Sequence, residues 1–352
     1  MARIGVIGTT SWGITLALVM ARNNYNVRLW ARSENEARKL RTKGPSSPAL
    51  DGVTLPPNVE VVTSLKDTML LSSAVILAVP SQTMRQNIAL IKDHLKSFRL
   101  IISASKGLEI GSNKRMSQVI SDEIDPVYHK NICVLSGPNL AREIARGRPA
   151  AAVVAAVSEE VARKAQKLLT APNFTVYTNH DMVGVELGGS LKNIIALGAG
   201  MIDGLGYGDN AKAAFVTRGL TEMAAFGMAL GANPLTLSGL AGLGDLIATC
   251  ASPLSRNHYV GAELARGEKL SAITQRMDGV AEGITTTAAV WDQACKLNLE
   301  MPITERMYQV LYGEASVRDA IAGILGASYK HELAGKRWKL FSFRGRRGKN
   351  GS

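Results

Sequence analysis

The sequence predicts an α/β protein in which a doubly wound, mostly parallel sheet is followed by a mainly helical domain. Three observations predict this class. Through the first half of the chain, short apolar runs of strand length alternate with helical patterns. Those runs are apolar on both faces, as expected for parallel strands covered by helices on each side. From about residue 180, strand-like runs disappear and long segments rich in Ala, Leu, Met and Gly replace them.

The elements follow one another in a regular order. Seven strands are predicted, at RIGVIG, NVRLWAR, VEVVTSL, AVILAVP, RLIISAS, ICVLSGP and AAVVAAV. Helices are predicted at WGITLALVMARNN, SENEARKLRTKG, MRQNIALIKDHLK and EEVARKAQKLL. Ser33 is expected to cap the second of these helices and Gly44 to end it. The predicted domains are a dinucleotide-binding domain over 1–180, a helical substrate domain over 181–335 and a basic tail over 336–352.

Length and composition predict a soluble protein with two cores. The chain has 352 residues and is 46% apolar, which is enough for two packed domains. We find no apolar run near the ~20 residues that a membrane span needs, and the N-terminus is that of a first strand rather than of a signal peptide. Cys133, Cys250 and Cys295 are odd in number and lack metal-ligand spacing. They indicate reduced thiols in a cytoplasmic protein without a bound metal.

The positive charge is distributed unevenly. The net charge is +12, but the tail KRWKLFSFRGRRGKNGS carries seven basic residues and no acid, so the rest of the chain carries +5. That smaller excess suits anionic small substrates and does not imply nucleic acid. The tail is interpreted either as a solvated, disordered end or, through Trp338, Phe341 and Phe343, as a weak contact with an anionic membrane.

A glycine-containing loop, GTTSWG, joins the first strand to the first helix. Gly8 and Gly13 match the first and last glycines of the G-x-G-x-x-G loop of Rossmann-type domains, which places a dinucleotide pyrophosphate at a helix N-terminus. Thr10 replaces the middle glycine. Its Cβ is expected to crowd the pyrophosphate, and its hydroxyl to compensate in part by donating to a phosphate oxygen. The loop alone leaves open a purely structural turn.

Arg32 lies where the second strand ends, about where an acid would accept a hydrogen bond from the ribose 2′-OH of NAD. An arginine suits a 2′-phosphate instead. This position therefore favours NADP, or the use of both cofactors, over strict NAD. An ordinary surface arginine is the alternative.

Three other strands are followed by residues placed to touch a ligand, because ligands bind beyond the carboxyl ends of such strands. These residues are Pro80-Ser81, Lys106 and Ser136-Gly137-Pro138.

Two constellations in the helical half carry candidate chemistry. Lys192 lies in the apolar, glycine-lined segment ELGGSLKN. Burying a lysine ammonium costs free energy, and burial that lowers its pKa makes the lysine a usable proton donor. The alternative is a structural lysine whose ammonium group extends (snorkels) to solvent. In GLAGLGDLIATC, Asp245 would begin a helix and share one face with Thr249. Arg256 and Asn257 follow, with donors that suit a phosphate.

These segments resemble the NAD(P)-dependent glycerol-3-phosphate dehydrogenase family. The motifs keep their order and spacing over roughly residues 3 to 310. They are KGLE at 106–109, SGP at 136–138, DMVGVELGGSLKN at 181–193, TRG at 217–219, GLAGLGDLIATC at 239–250, SRN at 255–257 and EG at 282–283.

The resemblance implies reversible reduction of dihydroxyacetone phosphate to glycerol 3-phosphate, for phospholipid synthesis, by a cytoplasmic homodimer. Lys192 would donate the proton to the carbonyl oxygen and Asp245 would orient it. The substrate-binding residues predicted with it are Lys106, Ser136, Gly137, Asn193, Thr249, Arg256 and Asn257. The predicted cofactor-binding residues, for NADP or NAD, are Gly8, Thr10, Ser11, Trp12, Gly13, Arg32, Lys106, Arg256 and Glu282.

Some features depart from the family pattern, and two other functions stay open. Thr10 replaces a glycine, Asn139-Leu140 replaces Ser-Phe, and the tail has no counterpart. One alternative is another two-domain reductase, of 2-hydroxyacid or ketopantoate type. The other is a non-catalytic dinucleotide sensor whose basic tail recruits a partner.

Overall fold

A computed structural model of the chain describes residues 3–96, 99–277 and 279–326. The interpretations of the basic tail, 336–352, lie outside these residues. The described strands, β1 to β8, are Arg3–Ile7, Asn26–Trp30, Val59–Val62, Ser72–Leu77, Leu100–Ser103, Ile132–Ser136, Ala150–Ala156 and Phe174–Asn179. The described α-helices, α1 to α16, are Ser11–Arg22, Glu34–Lys43, Leu65–Met69, Met84–Ile91, Met116–Glu123, Ala141–Ala145, Glu159–Leu169, Met182–Gly204, Gly208–Ala229, Pro234–Leu237, Asp245–Ala251, Arg256–Ala265, Leu270–Arg276, Glu282–Lys296, Pro302–Tyr312 and Val317–Leu325.

The eight strands form one sheet in the order β3-β2-β1-β4-β5-β6-β7-β8. All neighbours pair in parallel except β6 and β7, which are antiparallel. The predicted fold class, a doubly wound sheet followed by a helical domain, is confirmed. The seven-strand prediction missed β8, although Phe174 and Val176 are buried at alternate positions along it. Half of its six residues are exposed, so this strand lacks a continuous apolar run.

Helices cover both faces of the sheet. Alternate residues of β4 divide between two cores, with Ile76 in one and Val75 and Leu77 in the other. The first core contains α1 and α7, whereas the second contains α4 and α5. The predicted ends of α2 are correct: the Ser33 hydroxyl accepts from the backbone N–H of Glu36, and Gly44 follows the last turn at φ 71°.

The long helix α8 is the centre of the helical half. Nineteen consecutive residues, Gly184–Ile202, are buried, as expected for a helix that is surrounded on all sides. Its neighbours include α9, α11, α12 and α14. Glycines permit this density, because a Cβ at Gly200 would lie 2.0 Å from the carbonyl oxygen of His258 and one at Gly188 would lie 2.5 Å from that of Ala241.

A carboxylate ties α8 to the sheet half of the molecule. Glu186 accepts hydrogen bonds from the Arg115 guanidinium at 2.5 Å and from the backbone N–H and hydroxyl of Ser117, each at 2.7 Å. Because Glu186 is buried, these donors replace the water that the charge gives up. The first turn of α5 and the start of α8 are thereby held together.

One apolar stretch within the described residues, Pro234–Ala251, has the length and mean hydropathy (1.3) of a membrane span by composition alone. This differs from the expectation that the sequence has no apolar run near the length of a membrane span, and the stretch includes the GLAGLGDLIATC segment. In the structure it is divided into α10, a π-helical turn over Leu240–Gly244, and α11. It also carries the buried Asp245.

Replacing glycine by alanine should change stability in opposite directions at two positions, one crowded between α12 and α8 and one exposed on α16. A Cβ at Gly261 would lie 1.9 Å from the carbonyl oxygen of Leu197, so Gly261→Ala should lower the free energy of unfolding by at least about 2 kcal/mol. Gly323 is an exposed position of α16 whose nearest neighbours would lie 3.8 Å from a Cβ. Gly323→Ala should raise the free energy of unfolding by about 0.5 kcal/mol. Urea unfolding followed by circular dichroism measures both, and equal effects would contradict the packing argument.

Candidate active site

Two lysines share one buried carboxylate at the junction of the sheet and the helical half. Lys192 Nζ donates to Asp245 Oδ1 at 2.8 Å and to Thr249 Oγ1 at 2.6 Å. Lys106 Nζ donates to Asp245 Oδ2 at 2.5 Å and to the carbonyl oxygen of Gly137 at 2.9 Å. Lys192 is only 8% exposed and Asp245 only 1%. The snorkelling alternative for Lys192 is therefore wrong, because its ammonium group is held inside the protein.

Separate elements bring these side chains together. Lys106 follows the carboxyl end of β5, Lys192 lies in the middle of α8, and Asp245 is the first residue of α11. The π-helical turn before α11 packs against α8 where Gly188 has no side chain. Asp245 and Thr249 lie one helical turn apart and both face Lys192, as their spacing predicts.

The cluster carries one net positive charge, since the single carboxylate neutralises only one of the two ammonium groups. Burial, joined by the charge of Lys192, lowers the pKa of Lys106 to about 8, although Asp245 opposes that shift. At neutral pH the Lys106 ammonium is thus charged but close to its titration range. A net positive, water-poor site of this kind stabilises negative charge on an oxygen atom.

The loop after β6 lies beside this cluster. Gly137 has φ +138°, and a Cβ there would lie 2.9 Å from the backbone of Ala152. The Ser136 hydroxyl is buried and has no protein hydrogen-bond partner among the described residues. Position 189 of α8 must also be small here, because a Cβ at Gly189 would lie 2.4 Å from that hydroxyl. The hydrogen-bonding capacity of the Ser136 hydroxyl is therefore unused among the described residues.

The N-terminus of α12 supplies the next group of donors. Ser255 caps this helix through the N–H of His258, and Arg256, the first helical residue, is exposed. Asn257 turns inward, where its amide donates to Asn193 Oδ1 at 2.9 Å and accepts from the Gly283 N–H at 2.9 Å. Asn193 and Asn257 are thus brought together, and much of their hydrogen-bonding capacity is used between themselves and Gly283.

Glu282, the first residue of α14, reaches the loop after β4. Its carboxylate accepts from the Ser81 N–H at 2.9 Å and from the Ser81 hydroxyl. Burial raises the pKa of Glu282, while the Ser81 hydrogen bonds and the charge of Arg256 oppose the shift. Gly107 leaves the space for this contact, because a Cβ there would lie 2.5 Å from the Ser81 hydroxyl.

The cofactor loop has the close contacts that its glycines predict. A Cβ at Gly8 would lie 2.5 Å from the carbonyl oxygen of Ala78, and one at Gly13 would lie 2.1 Å from that of Gly8. Thr10 does not behave as expected from the sequence. Its hydroxyl donates to the Ala78 carbonyl at 2.8 Å and accepts from the Gly13 N–H at 3.1 Å. The hydroxyl hydrogen therefore serves the protein backbone, not a phosphate.

The residues present fit a dinucleotide. Helix α1 has no acidic side chain in its first turn that would compete with an anion. Its first N–H groups, those of Ser11 and Trp12, and the positive end of its dipole therefore favour binding of an anion. The indole N–H of Trp12 is buried without a protein partner among the described residues. Arg32 is exposed at the end of β2. The loop, Arg32 and the residues after β4 lie along the carboxyl edge of the sheet, the side on which such ligands bind.

Comparison with known proteins agrees with this geometry. Family models of the N-terminus and the C-terminus of NAD-dependent glycerol-3-phosphate dehydrogenase match residues 3–162 and 181–322, respectively. The chain belongs to this family. The site residues of the two halves thus meet in a glycerol-3-phosphate dehydrogenase fold.

Relatives within the dehydrogenase family are similar over nearly their whole length. A glycerol-3-phosphate dehydrogenase [NAD(P)+] of Dehalococcoides mccartyi strain BAV1 is 56% identical over 97% of this chain and 95% of that protein. The same enzyme of Bacillus thuringiensis is 44% identical over 95% of this chain and 98% of that protein. The crystal structure of glycerol-3-phosphate dehydrogenase from Coxiella burnetii superposes with a TM-score of 0.87 at 34% identity, covering 92% of this chain and 98% of the other.

Three residues without a role predicted from the sequence lie at or beside the candidate site: Ser81, Ser255 and Glu36. Ser81 was noted by position only, and its bond to Glu282 joins residues 201 positions apart. Ser255 could have been found as a helix cap, because a serine there precedes the helical pattern that starts at Arg256. Glu36, which contacts the cofactor loop, shows only the S-x-x-E signal of a helix start.

Thr10 should contribute to stability through its hydroxyl. Thr10→Val removes the helix cap and the bond to Ala78, and should lower the free energy of unfolding by about 1–2 kcal/mol. Thr10→Ser keeps the hydroxyl and should stay within about 0.5 kcal/mol of the wild type. Chemical unfolding monitored by circular dichroism compares the two variants. A larger loss in Thr10→Ser than in Thr10→Val would show that the methyl group, not the hydroxyl, is what this position needs.

Proposed function

We propose that the chain catalyses the reversible, NAD(P)H-dependent reduction of dihydroxyacetone phosphate to glycerol 3-phosphate, which serves glycerophospholipid synthesis. The observation that carries this proposal is the cluster in which Lys106 and Lys192 share the carboxylate of Asp245. It offers a proton donor and a net positive charge to a ketone oxygen. Membership of the glycerol-3-phosphate dehydrogenase family is the reason for naming dihydroxyacetone phosphate as the substrate.

Lys192 is the proton donor in this mechanism. Asp245 and Thr249 fix its Nζ from two sides, so the remaining N–H can be directed at a carbonyl oxygen. The reduced nicotinamide supplies the hydride when it is bound. Lys106 adds positive charge as the ketone oxygen becomes negative, which is the stage at which electrostatic stabilisation accelerates the reaction. In the oxidative direction Lys192 accepts the hydroxyl proton.

The N-terminus of α12 holds the substrate phosphate in this proposal. The helix has ten residues, begins at Arg256 and has no acid in its first turn. Its dipole and the Arg256 guanidinium both favour a dianion. Asn257 and Asn193 position this end through their mutual hydrogen bond, with one amide hydrogen of Asn257 left for substrate. Ser136 and Gly137 line the opposite side beside Lys106.

The loop Gly8–Gly13 holds the pyrophosphate in this proposal. Ser11 and Trp12 contribute backbone N–H groups, and Thr10 shapes the loop from within. Arg32 lies on the adenosine side, whereas Glu282 and Arg256 lie on the side of the helical half.

Cytoplasmic location, a homodimer and the 180/181 domain boundary belong to the same proposal. The free thiols of Cys133, Cys250 and Cys295 favour a reducing compartment.

The two other functions have less support. A non-catalytic dinucleotide sensor has no need for a buried Lys192 beside the partly buried Lys106, because burying charge is costly. A reductase for substrates without phosphate has no need for the donors at the start of α12. These alternatives predict no turnover of dihydroxyacetone phosphate.

Turnover tests the proposal directly. Oxidation of NADH and NADPH with dihydroxyacetone phosphate is followed by absorbance, and turnover with at least one cofactor is expected. Lys192→Met should lower kcat by about 10³-fold, while NADH dissociation constants stay within about twofold. Lys212→Met is the control, since Lys212 pairs with Asp203 elsewhere in the helical half. Absence of turnover in the wild type, or near-normal kcat in Lys192→Met, would overturn the proposal.

The pH dependence should report Lys106. Its pKa of about 8 means that the ammonium loses its proton as the pH rises from 7 to 9. The cluster then loses its net positive charge, so kcat/KM for reduction should fall above pH 8, approaching about tenfold per pH unit. The substrate phosphate, with a pKa of about 6, is already a dianion in this range. Lys106→Met should have a lower kcat/KM that no longer falls above pH 8. A wild-type kcat/KM that stays constant from pH 7 to 9 would argue against this role of Lys106.

A further inference from the structure

The carboxylate of Glu36 joins the cofactor loop to the end of β2. Its Oε1 accepts from the Thr9 hydroxyl at 2.5 Å, and its Oε2 accepts from the backbone N–H of Arg32 at 2.9 Å. Thr9 directly follows Gly8 in the loop. Glu36 itself is half-buried in the first turn of α2.

Helix capping accounts for only part of this arrangement. The Ser33 hydroxyl accepts from the Glu36 N–H at 3.2 Å, and a glutamate at this position commonly bonds back to the start of its own helix. The hydrogen bond from the Arg32 N–H to Glu36 is a capping bond of this kind. Capping gives no reason for the bond to Thr9, which lies 27 residues earlier on the cofactor loop. That bond holds the carboxylate against the loop.

The end of the second strand is where a Rossmann-type domain distinguishes its two cofactors. An acid there accepts a hydrogen bond from the ribose hydroxyl of NAD, whereas an arginine accommodates the 2′-phosphate of NADP. The sequence shows Arg32 at this point and so favours NADP. The structure adds a carboxylate at the same place, supplied from the first turn of the next helix.

We propose that Glu36 sets the cofactor preference, by accepting from the adenosine ribose of NAD(H) and opposing the 2′-phosphate of NADP(H). An ionised carboxylate is an acceptor only, so it pairs with a ribose hydroxyl and repels a phosphate dianion. Arg32 is exposed and acts in the opposite sense. The chain therefore binds NADH more tightly than NADPH, the reverse of the preference that Arg32 suggests alone. This inference rests on the dinucleotide site of the proposed function but not on its substrate.

The other acid of the same helical turn provides a matched control. Glu34 is exposed and pairs with Arg41 at 2.7 Å. Glu34→Gln and Glu36→Gln each remove one negative charge from the first turn of α2. Only Glu36 contacts Thr9, so only Glu36→Gln should change the cofactor preference. Glutamine keeps an acceptor for the Arg32 N–H, which protects the fold.

Dissociation constants for NADH and NADPH, measured by isothermal titration calorimetry, test the proposal without turnover. The wild type should favour NADH by about tenfold or more. Glu36→Gln should reduce that ratio by about tenfold, chiefly by tightening NADPH, the effect expected for one charge at a partly buried site. Glu34→Gln should leave the ratio unchanged, and Arg32→Ala should weaken NADPH further.

Each other result overturns the inference. A wild type that favours NADPH, an unchanged ratio in Glu36→Gln, an equal change in Glu34→Gln or failure to bind either cofactor would all do so. The proposed function fails separately. If the binding ratios behave as expected but dihydroxyacetone phosphate is not reduced, the cofactor assignment stands and the substrate assignment falls.

Discussion

The sharing of one carboxylate between two ammonium groups is the interaction on which the site depends. Asp245 is almost wholly buried, and burying a single charge without partners costs several kcal/mol. Lys106, in the loop after β5, and Lys192, in α8, supply those partners, and one of their two positive charges remains unneutralised. The fold therefore holds together three charged groups that would separate in water. In the proposed mechanism, that excess charge stabilises the ketone oxygen as it becomes negative.

The packing of α8 explains how three distant elements reach one carboxylate. Gly188 lets the π-helical turn before α11 come within van der Waals distance of the α8 backbone, and Gly189 leaves room for the Ser136 side chain at the end of β6. A π-helical turn carries an extra residue relative to an α-helical turn, and such turns are frequent at functional sites. Here it ends at the residue before Asp245. The glycine-rich sequence of this region is thus a consequence of crowding around the lysine pair.

Periodicity and local chemistry were enough to predict the parts of the fold that short-range forces determine. Seven strands, the cap at Ser33 and the end at Gly44 are local features, and each is present. The antiparallel pairing of β6 with β7 is not local, since its direction depends on how the intervening chain packs. The site divides in the same way. The spacing of Asp245 and Thr249 predicted a shared helical face, whereas the partner of Lys192 lies 53 residues away and left two interpretations open. Thr10 shows the limit most clearly, because only the structure supplies the Ala78 carbonyl that takes its hydroxyl hydrogen.

A chain of hydrogen bonds connects the helical half to the sheet at the same junction. Asn193 accepts from Asn257, Asn257 accepts from Gly283, and the neighbouring Glu282 accepts from Ser81 in the loop after β4. Each link is buried or partly buried, where a missing partner costs more than it does in water. A shift of α14 would therefore disturb both Asn193, beside Lys192, and the loop after β4. The surroundings of Lys192 and the loop after β4 therefore share one support, which in the proposed mechanism sets the relative position of substrate and cofactor.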